Sequence, residues 1–156
     1  LNINGHKHHY EDIGAGEPMV FLYYIIDNNA KGKAEVLKEP AVGFRLIIPD
    51  ARGMGASEHT TDVAPADWVD DLRSLLDELS LPSVHIMAQT VGTRVALRFA
   101  ADYPDRVKSL ILDATIAVNG PERIFTPSYD FEAEAATEAL AAQVRAQAGP
   151  RTDYCR

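Results

Sequence analysis

Cysteine is nearly absent: the 156 residues contain one, Cys155. A single thiol excludes an intrachain disulfide and a cysteine-based zinc site. It also suits a reducing compartment, so a cytoplasmic location is expected. Positive charge is scarce. Lys and Arg number 15 against 23 Asp and Glu, a net charge of −8, which argues against a nucleic-acid partner because phosphate binding needs a Lys/Arg surplus. No apolar run approaches the roughly 18 residues of a membrane span, and the longest, Met19–Ile26, has the length of a buried strand. No basic stretch followed by an apolar core marks a signal peptide. The chain starts at Leu1 without Met, so it is expected to be a piece of a longer product. What is present is an ordinary globular composition, 46% hydrophobic. Such a length suits one domain that buries on the order of 68% of the surface exposed by the unfolded chain.

Residues 1–17 read as a short hairpin broken by Gly14-Ala15-Gly16-Glu17-Pro18. Met19–Ile26 is continuously apolar, the mark of a strand covered on both faces. Residues 27–32 are turn-like, 33–37 suit a short helix, and Phe44–Pro49 is the next strand. A glycine-rich loop, Asp50-Ala51-Arg52-Gly53-Met54-Gly55-Ala56-Ser57, follows. In Asp67–Ser80, Trp68, Leu72, Leu75, Leu76 and Leu79 fall at helical spacing, with the acids read as a solvated face. Ser83–Ala88 reads as a strand, Gly92–Tyr103 as a helix stopped by Pro104, and Val107–Leu112 as a strand. This alternation predicts an α/β fold: a doubly wound, mostly parallel sheet of four parallel strands behind a leading hairpin, with helices on both faces. Residues 119–130 are turn-rich. Phe131–Ala148 reads as a thin-faced helix ended by Gly149-Pro150.

Ligands bind beyond the carboxyl ends of strands in such sheets. Three ends stand out: Tyr23-Tyr24-Ile25-Ile26-Asp27, the Asp50–Ser57 loop, and the tight turn Ala88-Gln89-Thr90-Val91-Gly92-Thr93. The loop matches D-x-R-G-x-G-x-S at every fixed position. With the 67–80 helix and the Tyr103-Pro104-Asp105-Arg106-Val107 turn in order, the chain resembles the N-terminal half of the α/β-hydrolase superfamily, nearest the esterase, lactonase and dehalogenase branch, over residues 3–117. The resemblance implies a core at 1–117 that lacks the C-terminal strands, and the start of a helical cap or lid at 118–156. It implies a cofactor-free enzyme acting on a small apolar ester, lactone or related substrate, with water completing the reaction. Thr90 takes the nucleophile position of a degenerate elbow, and the backbone N–H groups of Ile25 and Val91 take the oxyanion positions. Asp113 is a weak candidate acid.

Three departures weigh against a live triad. The elbow pattern is G-x-S-x-G, whereas Thr90 replaces Ser and Ala88 replaces the first Gly. A β-branched residue resists the positive φ that the elbow imposes, at a cost on the order of 1–3 kcal/mol. Tyr23 and Tyr24 replace the usual His-Gly beside the oxyanion site, where a missing donor costs ~10²–10³ in rate. All five histidines (His6, His8, His9, His59 and His85) precede Thr90, whereas the family places its His last in chain order.

Each candidate also has a plainer reading. Thr90 then serves only the turn, and Asp50, Arg52, Gly53 and Gly55 only shape their loop. His6, His8 and His9 belong to a solvated hairpin without further ligands for a metal, so no metal site is expected. His85 is a satisfied buried histidine, His59 a cleft residue, and Tyr23 and Tyr24 packing. Three functions stay open: a hydrolase, a non-catalytic relative that binds a small molecule or partner, and an inactive fragment. In the last case Val107–Leu112 is an exposed edge that invites homodimerisation or aggregation.

Overall fold

The computed structural model describes residues 1–24, 29–39, 42–60 and 63–113. The proposed cap, residues 118–156, and the end of the core at 117 lie outside them. The described elements are β1 (Asn2–Ile3), β2 (His6–Lys7), β3 (Tyr10–Gly14), β4 (Glu17–Tyr24), α1 (Ala30–Leu37), β5 (Phe44–Pro49), α2 (Pro65–Glu78), β6 (Val84–Thr90), α3 (Val91–Asp102) and β7 (Val107–Asp113), with a 3₁₀ turn at Pro104–Arg106.

Five strands form one sheet in the order β3-β5-β4-β6-β7. β4, β5, β6 and β7 run parallel, as expected from the alternating pattern. β3 is antiparallel to β5. The leading segment therefore departs from its sequence reading. β1 and β2 form a hairpin of their own, and Tyr10–Gly14 instead completes an edge of the main sheet. An Asp12–Arg45 ion pair, 2.7 Å from Oδ2 to Nη2, ties that edge to β5. Gly16, at φ +125, permits the crossing to β4, because a Cβ there would overlap the Gly43 carbonyl.

Helices cover both faces, which makes the sheet doubly wound. α2 and α3 pack on one face over Val20, Leu22, Ile47, Ile86 and Ala88, with Trp68, Leu76 and Phe99 inserted from the helices. The other face is covered by α1 through Ala30 and Ala34 against Phe21, Leu46 and Ile48. β4 is central, so its two alternating sets of side chains are both buried. That is why its sequence is continuously apolar.

Several boundaries differ from expectation for identifiable reasons. α1 starts at Ala30, three residues early, because Asn29 caps it by accepting from Gly32 N (2.8 Å) and Asp50 accepts from Ala30 N (2.6 Å). β6 runs to Thr90 and α3 begins at Val91, leaving no loop between strand and helix. β7 ends the described sheet, and Ile111 on it is 47% exposed. Among the described residues no helix is long and apolar enough to cross a membrane.

Candidate functional site

The turn between β6 and α3 carries the candidate nucleophile. Thr90 sits at φ +51, ψ −118, a conformation that L-residues, and β-branched ones above all, resist. Its carbonyl accepts a hydrogen bond from Thr93 Oγ1 at 2.6 Å, which helps hold the turn. Its own Oγ1 is buried and has no hydrogen-bond partner among the described residues. Buried hydroxyls are normally satisfied, so this one stands out among the described residues. Val91 opens α3, so its N–H is one of the donors the helix ladder leaves over. Gly92 is required for a different reason: a Cβ there would overlap the Leu22 carbonyl of β4, so only glycine lets α3 approach the sheet. Ala88, in place of the other family glycine, is fully buried and tolerated.

Tyr24 pairs with Thr90 in register across β4 and β6. Its ring lies 5.5 Å from that of Trp68. Burial first, then the charges of Asp71 and Asp50, push its phenol well above the usual tyrosine value, so Tyr24 stays neutral and forms a wall. Tyr23 points to the other face, stacked on Phe21 with the Lys33 ammonium 3.6 Å from its ring centroid. Both tyrosines are thus packing residues. Ile25, the other oxyanion position, lies outside the described residues. Asp113 is not brought to Thr90. It accepts from Gln89 Nε2 at 2.6 Å, and Gln89 projects to the opposite face from Thr90 by strand alternation.

The glycine loop is organised around the Asp50 carboxylate. It accepts from Ala30 N and Ala56 N (2.6 and 3.0 Å) and meets His9 Nδ1 at 2.8 Å. Ser57 Oγ donates to the Asp50 carbonyl at 2.7 Å. Gly55, at φ +56, must lack a side chain, because a Cβ would strike that carboxylate. The motif therefore shapes its loop.

Three sequence expectations are corrected here. Asp71 is not on a solvated helix face. It is buried and paired with Arg52, Nη2 to Oδ1 2.6 Å and Nε to Oδ2 3.0 Å. His8 and His9 are not in a solvated hairpin. His8 is buried, its Nε2 lies 3.5 Å from Asp71 Oδ2, and desolvation lowers its pKa below the usual histidine value. Together with Tyr24, Trp68, Asp50, Arg52 and Asp71, these histidines line a cavity of about 10 Å³, enough for roughly one water, and Thr90 is not in its lining. Finally, His85 is satisfied by Ser109 but half-exposed rather than buried. His59 is exposed and does not line that cavity. No group of three or more His, Cys, Asp or Glu among the described residues is placed to hold a metal.

Sequence reasoning missed Asp71, although a signal existed. Position 71 lies on the same helical stripe as Trp68, Leu72 and Leu75, and an acid there must be paired.

The alpha/beta hydrolase fold family matches residues 20–148. Epoxide hydrolase 3 of Siraitia grosvenorii is 31% identical over 114 residues, covering 71% of this chain and 36% of that protein. The 2-hydroxy-6-oxononadienedioate/2-hydroxy-6-oxononatrienedioate hydrolase 1 of Pseudomonas putida is 31% identical over 110 residues, covering 67% and 39%. Among solved structures, a Vigna radiata epoxide hydrolase mutant aligns with a TM-score of 0.62 at 26% identity, covering 72% of this chain and 36% of that one. An alpha/beta hydrolase from a Medee basin deep-sea metagenome library gives 0.71 at 22% identity, covering 78% and 46%. The latter likeness concerns the fold alone. The chain spans about two-fifths of the length of the curated relatives it matches.

Proposed function

Because the chain belongs to the alpha/beta hydrolase fold family, we propose that its elbow is a hydrolase-type site for a small apolar ester, lactone or related substrate. The carbonyl of the substrate lies against Thr90, with the N–H of Val91 facing its oxygen. The carrying observation is Thr90 itself: a β-branched residue held at φ +51 with its hydroxyl buried and without a hydrogen-bond partner among the described residues. A turn kept for shape alone gains nothing from that hydroxyl.

Turnover asks for more. A serine- or threonine-type nucleophile needs a base within hydrogen-bond reach. No histidine follows Thr90 in the 156 residues, and Asp113 is engaged by Gln89 on the other face. The chain alone therefore binds such a ligand at the elbow with negligible Thr90-dependent turnover, the behaviour of a non-catalytic relative. Supplying a histidine beside Thr90 converts the same geometry into acyl transfer followed by hydrolysis.

Two measurements test this reading together. Addition of phenyl acetate should shift the amide resonances of Val91 and Thr90 in the parent. The steady-state hydrolysis of a short-chain chromogenic ester should be the same for the parent and Thr90→Ala. Unmoved elbow amides would sink the binding site. Turnover that Thr90→Ala abolishes would instead establish an active enzyme whose base lies elsewhere.

A further inference from the structure

We propose that Ser109, His85 and Glu17 form a second nucleophilic site, at the other end of β6 and on the other sheet face from Thr90, whose serine accepts an acyl group from small activated esters. Three parallel strands bring these residues together. Glu17 opens β4, His85 is the second residue of β6, and Ser109 is the third of β7, directly opposite His85 in register. Ser109 Oγ lies 2.7 Å from His85 Nδ1. His85 Nε2 faces Glu17 Oε1 at 3.9 Å. Lys108 hydrogen-bonds that carboxylate, which lowers its pKa and keeps it ionised. The Phe44 ring meets the imidazole edge-on, with 6.0 Å between ring centroids.

This approaches the arrangement that activates a hydroxyl: a nucleophile within hydrogen-bond reach of a base, with a carboxylate facing the base's other nitrogen at 3.9 Å, an electrostatic contact longer than a hydrogen bond. A negative charge facing Nε2 favours the proton there, which leaves Nδ1 as acceptor for the Ser109 O–H. Thr90 has no such partner among the described residues. The next register pair on the same face, Met87 and Ile111, supplies an apolar floor for a short acyl chain, and Ile111 is 47% exposed. In the step itself, Ser109 Oγ bonds to the ester carbonyl carbon and its proton passes to His85 Nδ1. The bond from that carbon to the aryl oxygen then breaks, the aryl oxide leaves with the electron pair, and His85 returns the proton to it. The product is an O-acyl Ser109 and a free phenol.

The test uses the full chain with p-nitrophenyl acetate, read by the p-nitrophenolate burst and by peptide mass mapping. One acetyl group is expected on the peptide that begins at Ser109. It should persist in Thr90→Ala and vanish in Ser109→Ala. In His85→Gln, which keeps a hydrogen-bonding side chain on this half-exposed site, the burst should slow by about a hundredfold or more, the low end of what a positioned base contributes. The Tm of His85→Gln should match the parent within about 2 °C, as expected of a surface substitution. Acetylation confined to lysines or to Thr90, no adduct at all, or an unchanged burst in His85→Gln would each overturn the proposal. The two sites fail separately: loss of the elbow reading leaves the Ser109 adduct in place.

Discussion

Thr90 concentrates a conflict that only function or ancestry resolves. Its backbone, at φ +51 and ψ −118, is one glycine adopts freely and threonine does not. The strain costs on the order of 1–3 kcal/mol. Replacing it by glycine removes that strain but adds about 0.5–1 kcal/mol of unfolded-chain entropy to be lost on folding. Thr90→Gly is therefore expected to stabilise the protein by about 1 kcal/mol, raising Tm by roughly 3 °C. Thermal unfolding followed by circular dichroism checks this. A fall in Tm would mean that the side chain contributes more packing than its backbone costs. Much at this scale was legible beforehand. The loop-shaping role of Gly55 and the packing role of Tyr24 follow from short local patterns, and the tight turn at Thr90 from the family resemblance; the close approach that requires Gly92 appears only in the structure. The pairings that decide charge were not. His85 with Ser109, Arg52 with Asp71, and His9 with Asp50 join residues 24, 19 and 41 positions apart, and nothing in the intervening sequence encodes those distances.

At the scale of elements, strands and helices were readable wherever one surface dictates the pattern. β4 is buried on both faces and α2 on a single stripe, so each announces itself. β3 does not, because its place is set by antiparallel pairing to β5 and the Asp12–Arg45 bridge. The β1–β2 hairpin is also held by distant partners. Asn4 donates to Asp71 Oδ1 at 2.9 Å, and Ser74 Oγ donates to Asn4 Oδ1 at 3.1 Å. Buried beneath it, His8 faces Asp71 from α2, Arg52 from the glycine loop, His6 from β2 and the Leu1 ammonium, with Asp71 alone favouring its protonation. Burial holds the folded pKa of His8 below 6.5. Above pH 6.5 both states are neutral, and this contribution to stability is complete. As the pH falls below 6.5 the unfolded chain takes up a proton that the folded chain resists, so stability drops until the folded pKa is passed. Urea midpoints, followed by the single tryptophan, Trp68, on the same cavity, should decrease from pH 7.5 to about 5.5. The decrease should be smaller in His8→Gln. Parallel decreases in the two proteins would assign the effect to other groups.

For the molecule as a whole, the sheet order sets a gradient of protection. β4 and β6 lie inside the sheet, and Val20, Leu22, Ile86 and Ala88 on them are fully buried. β3 and β7 are its described edges, and Lys108, Ser109, Ile111 and Asp113 along β7 are exposed. Backbone amides open with free energies that range from near zero at edges to the global value in the core. The hydrogen exchange of Val20–Leu22 and Ile86–Ala88 is therefore expected to be slowest, tracking global unfolding, with β3 and β7 faster. An unpaired strand edge is also a template for another chain, so the rate along β7 carries a second meaning. If its amides exchange as slowly as those of β4, then another strand covers that edge and the gradient is wrong. If their exchange slows as protein concentration rises, while that of β3 does not, then the covering strand comes from a second copy, the association expected for an exposed β7. Rates at β7 that are fast at every concentration leave Ser109 on an accessible surface, the condition its acylation requires.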